Sequence, residues 1–107
     1  MGFYKLRFGE KMARKKTAQI CIVTVTGLDR VGIVAKLATI MAKANINIVD
    51  ISQKIMQRYF VMTMAVDMAN AGVGIDKIKK RLDKLSKEMS LNITFQDENI
   101  FKVMHRV

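Results

Sequence analysis

"GLDRVGIVAKLATIMAKANINIVDIS" (Gly27–Ser52) places a glycine-bounded turn, a helical repeat and a strand-like run in 26 consecutive residues. From Ile33, apolar residues recur at 33, 34, 37, 40, 41 and 44, the spacing of a helix that buries one stripe. Lys36, Thr39 and Lys43 lie off that stripe. Asn45 marks the stop, and "INIVDISQKIM" (Ile46–Met56) resumes strand character with polar residues interleaved. Upstream, "QICIVTVT" (Gln19–Thr26) is β-branched and almost continuously apolar, which suits a central strand ended by Gly27. The stretch is therefore the heart of a β-α-β unit whose first turn reads Asp-Arg-Val-Gly.

Working outward, Gln57–Arg58 is short enough for a hairpin turn, although it lacks an Asn-Gly pair. "YFVMTMAVDM" (Tyr59–Met68) reads as a second buried strand, and "NAGVG" (Asn70–Gly74) is the clearest loop. Ile75, Ile78, Leu82, Leu85 and Met89 then form one narrow helical stripe, with Lys77, Lys80, Lys84 and Lys87 opposite. "LNITFQ" (Leu91–Gln96) alternates, so Leu91, Ile93 and Phe95 share one face of a last strand. Asp97 stands as the N-cap of a short terminal helix carrying Ile100, Phe101 and Met104. The order predicts an α+β, ferredoxin-like βαββαβ fold: a four-stranded antiparallel sheet, two helices on one face, and a short C-terminal helix. The other face then needs a cover, from that helix or a partner subunit.

A chain of 107 residues is one domain, long enough to bury a core unaided. Residues 1–17 read as a basic, disordered leader dispensable for folding, and 18–107 as the domain. Lys5, Arg7, Lys11, Arg14, Lys15 and Lys16 against Glu10 account for half of the net charge of +10. No apolar run approaches the ~18 residues that cross a membrane. One cysteine allows no intrachain disulfide. A cytoplasmic, soluble protein is expected.

The chain is poor in catalytic groups. Its single histidine, His105, is three residues from the end, and Cys21 falls in the first strand, where a buried, inert thiol is expected. No His, Cys or carboxylate pair has metal-ligand spacing, and Asp97 and Glu98 point apart on a helix. The expectation is a protein with no enzymatic activity, no cofactor and no metal.

The turn offers more. Gly32 stands at the helix start, where free backbone N–H groups and the helix dipole suit a carboxylate or phosphate. Its missing side chain lets a ligand come close. Asp29 can meet an ammonium group and Arg30 adds positive charge, while Asn47 and Asp50 supply polar groups from the next strand. The competing reading is that Asp29 caps the helix and the two glycines merely shape a turn. Chemistry alone leaves both open.

"VTVTGLDRVGIVAKLATIMAKANINIVDISQ" (Val23–Gln53) resembles the start of an ACT domain: a strand, Gly-x-Asp-Arg-Pro-Gly, a helix and a Gly-x-Asn-Ile strand. The Gly-Ile-Val-Ala helix start and the Asn-Ile-x-Asp-Ile-Ser-Gln run at Asn47–Gln53 look most like the small stand-alone ACT proteins of the UPF0237 family. The chain is also similar to the ACT domains of the glycine cleavage repressor and of formyltetrahydrofolate deformylase. Val31 replaces the usual Pro, and Ala44 or Asn45 the usual Gly. The resemblance implies a homodimer or higher oligomer that binds an amino-acid effector between the first turn of one subunit and the second strand of another. Carried over, that site is Asp29, Arg30, Val31, Gly32 and Ile33 with Asn47 and Ile48, joined by Asp50, Ser52 and Gln53 from the closer family pattern. The alternative is a repressor-like interaction module with a protein partner and no ligand. Nucleic-acid binding is disfavoured, because Tyr59 and Phe60 stand alone where an RNA-binding sheet displays aromatic pairs.

Overall fold

The computed structural model describes residues 17–104. In chain order the elements are β1 (Ile20–Leu28), α1 (Ile33–Lys43), β2 (Asn47–Met56), β3 (Tyr59–Asp67), α2 (Ile75–Met89), β4 (Asn92–Asp97) and α3 (Glu98–Met104). The four strands form one antiparallel sheet in the order β2-β3-β1-β4. This is the expected βαββαβ arrangement. The basic leader, residues 1–16 of it, and His105 lie outside the described residues.

Alternation along the two central strands builds the core. Cys21, Val23 and Val25 of β1 face Val66, Met64 and Met62 of β3, and all six are buried. Above them lie Ile33, Leu37 and Met41 from α1 and Ile78, Leu82, Leu85 and Met89 from α2. The periodic stripes are thus the buried faces, with exceptions at their margins. Val34 and Ile75 are over one-third exposed, and Ile40 is half-buried beside the core. A helix resting on a sheet buries a stripe narrower than its full apolar arc.

The junctions show where side-chain chemistry acts. β1 does not end at Gly27; it continues to Leu28, with Gly27 opposite Phe60 and Leu28 opposite Tyr59. The absent side chain at Gly27 leaves room for Leu91, whose Cδ2 would lie 2.8 Å from an added Cβ. α1 stops where Asn45 takes a left-handed φ of 58°, a conformation asparagine tolerates. The hairpin turn is Gln57–Arg58, with Gln57 at φ 61°. Asp97 caps α3: its Oδ1 accepts the Asn99 N–H at 2.8 Å.

The open face is only partly covered. α3 packs on β1 and β4, and the Gln96 side-chain amide donates to Met104 Sδ at 2.9 Å. The middle of that face is a row of hydroxyls, Ser52, Thr63, Thr24 and Thr94, aligned across all four strands. Thr24 and Thr94 share a hydrogen bond. Hydroxyls at these positions tolerate water, so much of the face needs no apolar cover.

Candidate functional site

Two short segments carry the candidate residues, and they differ in construction. In the first, Asp29, Arg30 and Val31 are all exposed, Val31 completely. The Asp29 N–H donates to the Arg58 carbonyl at 2.8 Å, which ties this turn to the β2–β3 hairpin. Gly32 is the N-cap of α1, with φ 92° and ψ 0°, and no side chain caps the helix. The reading of Asp29 as a helix cap is therefore corrected: the helix opens on a left-handed glycine, which leaves the carboxylate out of bonding position.

The first helical hydrogen bond runs from the Lys36 N–H to the Gly32 carbonyl at 3.0 Å. The N–H groups of Ile33, Val34 and Ala35 consequently have no acceptor within the helix. A Cβ built on Gly32 meets nothing within 4 Å, so these donors are approachable. Ile33 is 1% exposed and belongs to the core. It can offer a ligand its backbone N–H but not its side chain.

The second segment is β2, an edge strand. Asn47, Asp50, Ser52 and Gln53 are exposed and Ile48 is half-buried against the core. A register shift between Ile48 and Asp50 leaves Val49 as a bulge. Beyond it, Asp50 and Ser52 stand opposite Ala65 and Thr63 on the open face, and Gln53 opposite the buried Met62 on the helix face. These three residues do not converge on one ligand. A bulge resets the alternation, and nothing in "NIVDISQ" marks it.

The Asn47 end of this segment also lies far from the turn. Asn47 is level with Asp67 and Ile20 at one end of the sheet, whereas the turn follows Leu28 at the end where Met56 and Tyr59 pair. Eight strand positions separate these levels, roughly 26 Å at ~3.3 Å each. Sequence reasoning overlooked the neighbours that frame the turn: the Arg58 carbonyl and the half-exposed Leu28, Met56 and Tyr59. The hairpin turn was the available signal for part of this, since a two-residue turn at 57–58 brings Tyr59 opposite Met56.

Cys21 is 1% exposed, and its thiol pKa is raised, first by burial and then by the charge of Asp97, with Lys79 acting the other way. Among the described residues no three His, Cys, Asp or Glu side chains group as metal ligands. No helix among them is long and apolar enough to cross a membrane.

Comparison with known proteins agrees with this architecture. The ACT domain family matches residues 19–96. A UPF0237 protein of Clostridium acetobutylicum is 49% identical over 86 residues, covering 80% of this chain and 97% of its own length. One from Methanocaldococcus jannaschii is 46% identical over 86 residues, covering 80% and 96%. Among solved structures, an ACT domain protein from Streptococcus pneumoniae superposes with a TM-score of 0.68 at 29% identity, over 80% of this chain and 97% of that one. A putative glycine cleavage system transcriptional repressor shares the fold at a TM-score of 0.66 and 21% identity, over 75% of this chain and 46% of its own. So does a formyltetrahydrofolate deformylase from Pseudomonas syringae, at 0.68 and 22%, over 83% and 30%. By the family match and by these identities, this chain belongs to the UPF0237 family of ACT domain proteins.

Proposed function

We propose that the chain is a stand-alone regulatory module that binds an amino acid or similar small metabolite between two copies of itself. In this reading it acts in the cytoplasm, without catalysis, metal or cofactor. The observation that carries the reading is the separation of the Asn47 end of β2 from the turn within one chain. A small molecule cannot span roughly 26 Å, but a second copy removes the gap. Antiparallel pairing of two β2 edges about a two-fold axis brings the Asn47 end of one strand to the hairpin end of the other, where the turn stands. A ligand carboxylate then sits on the N–H groups of Ile33, Val34 and Ala35, with Gly32 giving it room. Asp29 meets the ammonium group, and Asn47 and Asp50 close the site from the partner.

The test is a thermal-shift screen of the amino acids followed by calorimetry. A true effector at 100 times its dissociation constant stabilises the protein by about 2.7 kcal/mol. Asp29→Asn removes the charge but not the shape, and loss of a charged hydrogen bond of ~1.5–3 kcal/mol weakens binding roughly ten- to a hundred-fold. The ligand-free melting temperature should not change, because Asp29 caps nothing. If no amino acid shifts the melting curve, the effector reading falls. Equal affinities for wild type and Asp29→Asn would move the site away from the turn.

A further inference from the structure

Charge in this domain is sorted by layer. α1 and α2 hold Lys36, Lys43, Lys77, Lys79, Lys80, Arg81, Lys84 and Lys87 against Asp76, Asp83 and Glu88. The rest of residues 17–104 holds Arg30, Lys54, Arg58 and Lys102 against Asp29, Asp50, Asp67, Asp97 and Glu98. The positive excess of the described residues therefore lies wholly on the helix layer.

An open cleft of about 590 Å³ runs between the two helices. Lys36 and Lys43 form its α1 wall and Arg81 and Lys84 its α2 wall, over a floor of Ile40 and Leu85. Glu88 is the one acidic residue in the lining. Among the described residues the ion pair formed is Lys102–Glu98, so these four cations have no carboxylate within salt-bridge distance. The lining follows helical spacing on both sides and extends over about two turns, roughly 10 Å.

We propose that this cleft is the docking groove for an acidic, amphipathic helix of a partner protein. Its size and periodicity suit a helix that anchors apolar residues at i, i+3 or i+4, and i+7. The half-buried Ile40 and the aliphatic stems of the lysines receive the apolar face above Leu85, which belongs to the core, while the ammonium and guanidinium groups meet flanking carboxylates. The helix layer of a second copy is a poor occupant, because it would bring like charge to like charge. A phosphate backbone satisfies the cations but has nothing to bury on the apolar floor. The groove borders the effector turn at Ala35, but its four cations take no part in that site, so this proposal and the effector reading fail separately.

Fluorescence anisotropy with three labelled probes tests it on the full chain. One is an amphipathic peptide of about 14 residues, two heptads with leucines on one face and glutamates flanking them. The second is a scramble of the same composition, and the third a single-stranded oligonucleotide of equal charge. The amphipathic peptide should bind at least tenfold tighter than either control. Lys36→Glu with Arg81→Glu should weaken it roughly tenfold or more, since rim charges steer and hold such partners. Both positions are exposed, so the melting temperature should hold; Lys36→Gln with Arg81→Gln serves as a milder pair. Amide shifts of the wild type on titration should concentrate in α1 and α2. Equal binding of the scramble would reduce the cleft to undirected charge, and tighter binding of the oligonucleotide that is lost with Lys36→Glu and Arg81→Glu would make it a nucleic-acid face. Binding unaffected by both substitution pairs would place the peptide elsewhere. Any of these three results overturns the proposal.

Discussion

Gly27 and Gly32 flank the same turn yet are required for different reasons, and substitution separates them. A methyl group on Gly27 would lie 2.8 Å from Leu91 Cδ2 and 3.3 Å from the Ser90 carbonyl, so Gly27→Ala overpacks the junction and should cost about 1–3 kcal/mol. Gly32→Ala meets open space but must hold φ 92°, which should cost about 1–2 kcal/mol through backbone strain. Urea unfolding with Leu91→Val as the second substitution distinguishes the two mechanisms. Shortening Leu91 should recover part of the Gly27→Ala loss and none of the Gly32→Ala loss; equal coupling at both glycines would contradict the assignment. Cys21 gives a pH signature. Burial raises its thiol pKa above the ordinary 9.0, so the folded state holds the proton more tightly than the unfolded chain does. That contribution to stability is complete below pH 9 and is lost as the pH rises towards the folded-state value. Melting curves should show wild type losing ground to Cys21→Ala above that pH, and parallel curves would argue that the thiol is not buried. The Asp97 cap was legible because a side-chain cap needs only one residue at one position. Whether Asp29 caps α1 was not, since the left-handed start at Gly32 decides that and both readings share the same letters.

At the level of elements, legibility followed burial. α2 was readable because its apolar stripe has one task, covering the sheet, and its lysines face water. Leu82→Ala should therefore cost about 2–5 kcal/mol, whereas Lys80→Ala should stay within about 0.5 kcal/mol. Chemical denaturation of both variants checks the contrast, and a large loss from Lys80→Ala would mean that the lysine side has a packing role. β1 and β3 were readable for the same reason, since their shared buried row specifies register. The end of β1 was less so: glycine usually punctuates a strand, but Gly27 stays in the ladder to let Leu91 approach. β2 resisted reading most. It is exposed over almost its whole length, so no buried row constrains it, and the bulge at Val49 changes which side chains share a face. Asp50, Ser52 and Gln53 could be picked as candidates by resemblance, but not sorted between the two faces of the sheet.

For the whole molecule, the same edge strand and the sorted charge determine how a second copy can approach. The basic helix layer repels its own kind, while the unpaired backbone of β2 invites a strand. Lys54 is the only charged side chain beyond Asp50 along that edge, a thin guard against pairing. Ile51 and Ile55, 42% and 54% exposed, lie on the helix-side face of β2 and add an apolar margin to the pairing surface. Ile51→Lys combined with Ile55→Lys should therefore cost an isolated chain little and penalise association strongly. Because a dimer is stabilised by mass action, raising the wild-type concentration a hundredfold should raise its melting temperature by about 5 °C or more. The doubly substituted chain should melt at one temperature throughout and scatter light as a monomer. It should also lose the amino-acid response even with Asp29 and Gly32 untouched, since in the proposed arrangement each effector site needs the partner's β2. Wild type that melts independently of concentration, at monomer mass, would remove the dimer. A monomeric double variant that still responded to the effector would show instead that one chain completes the site.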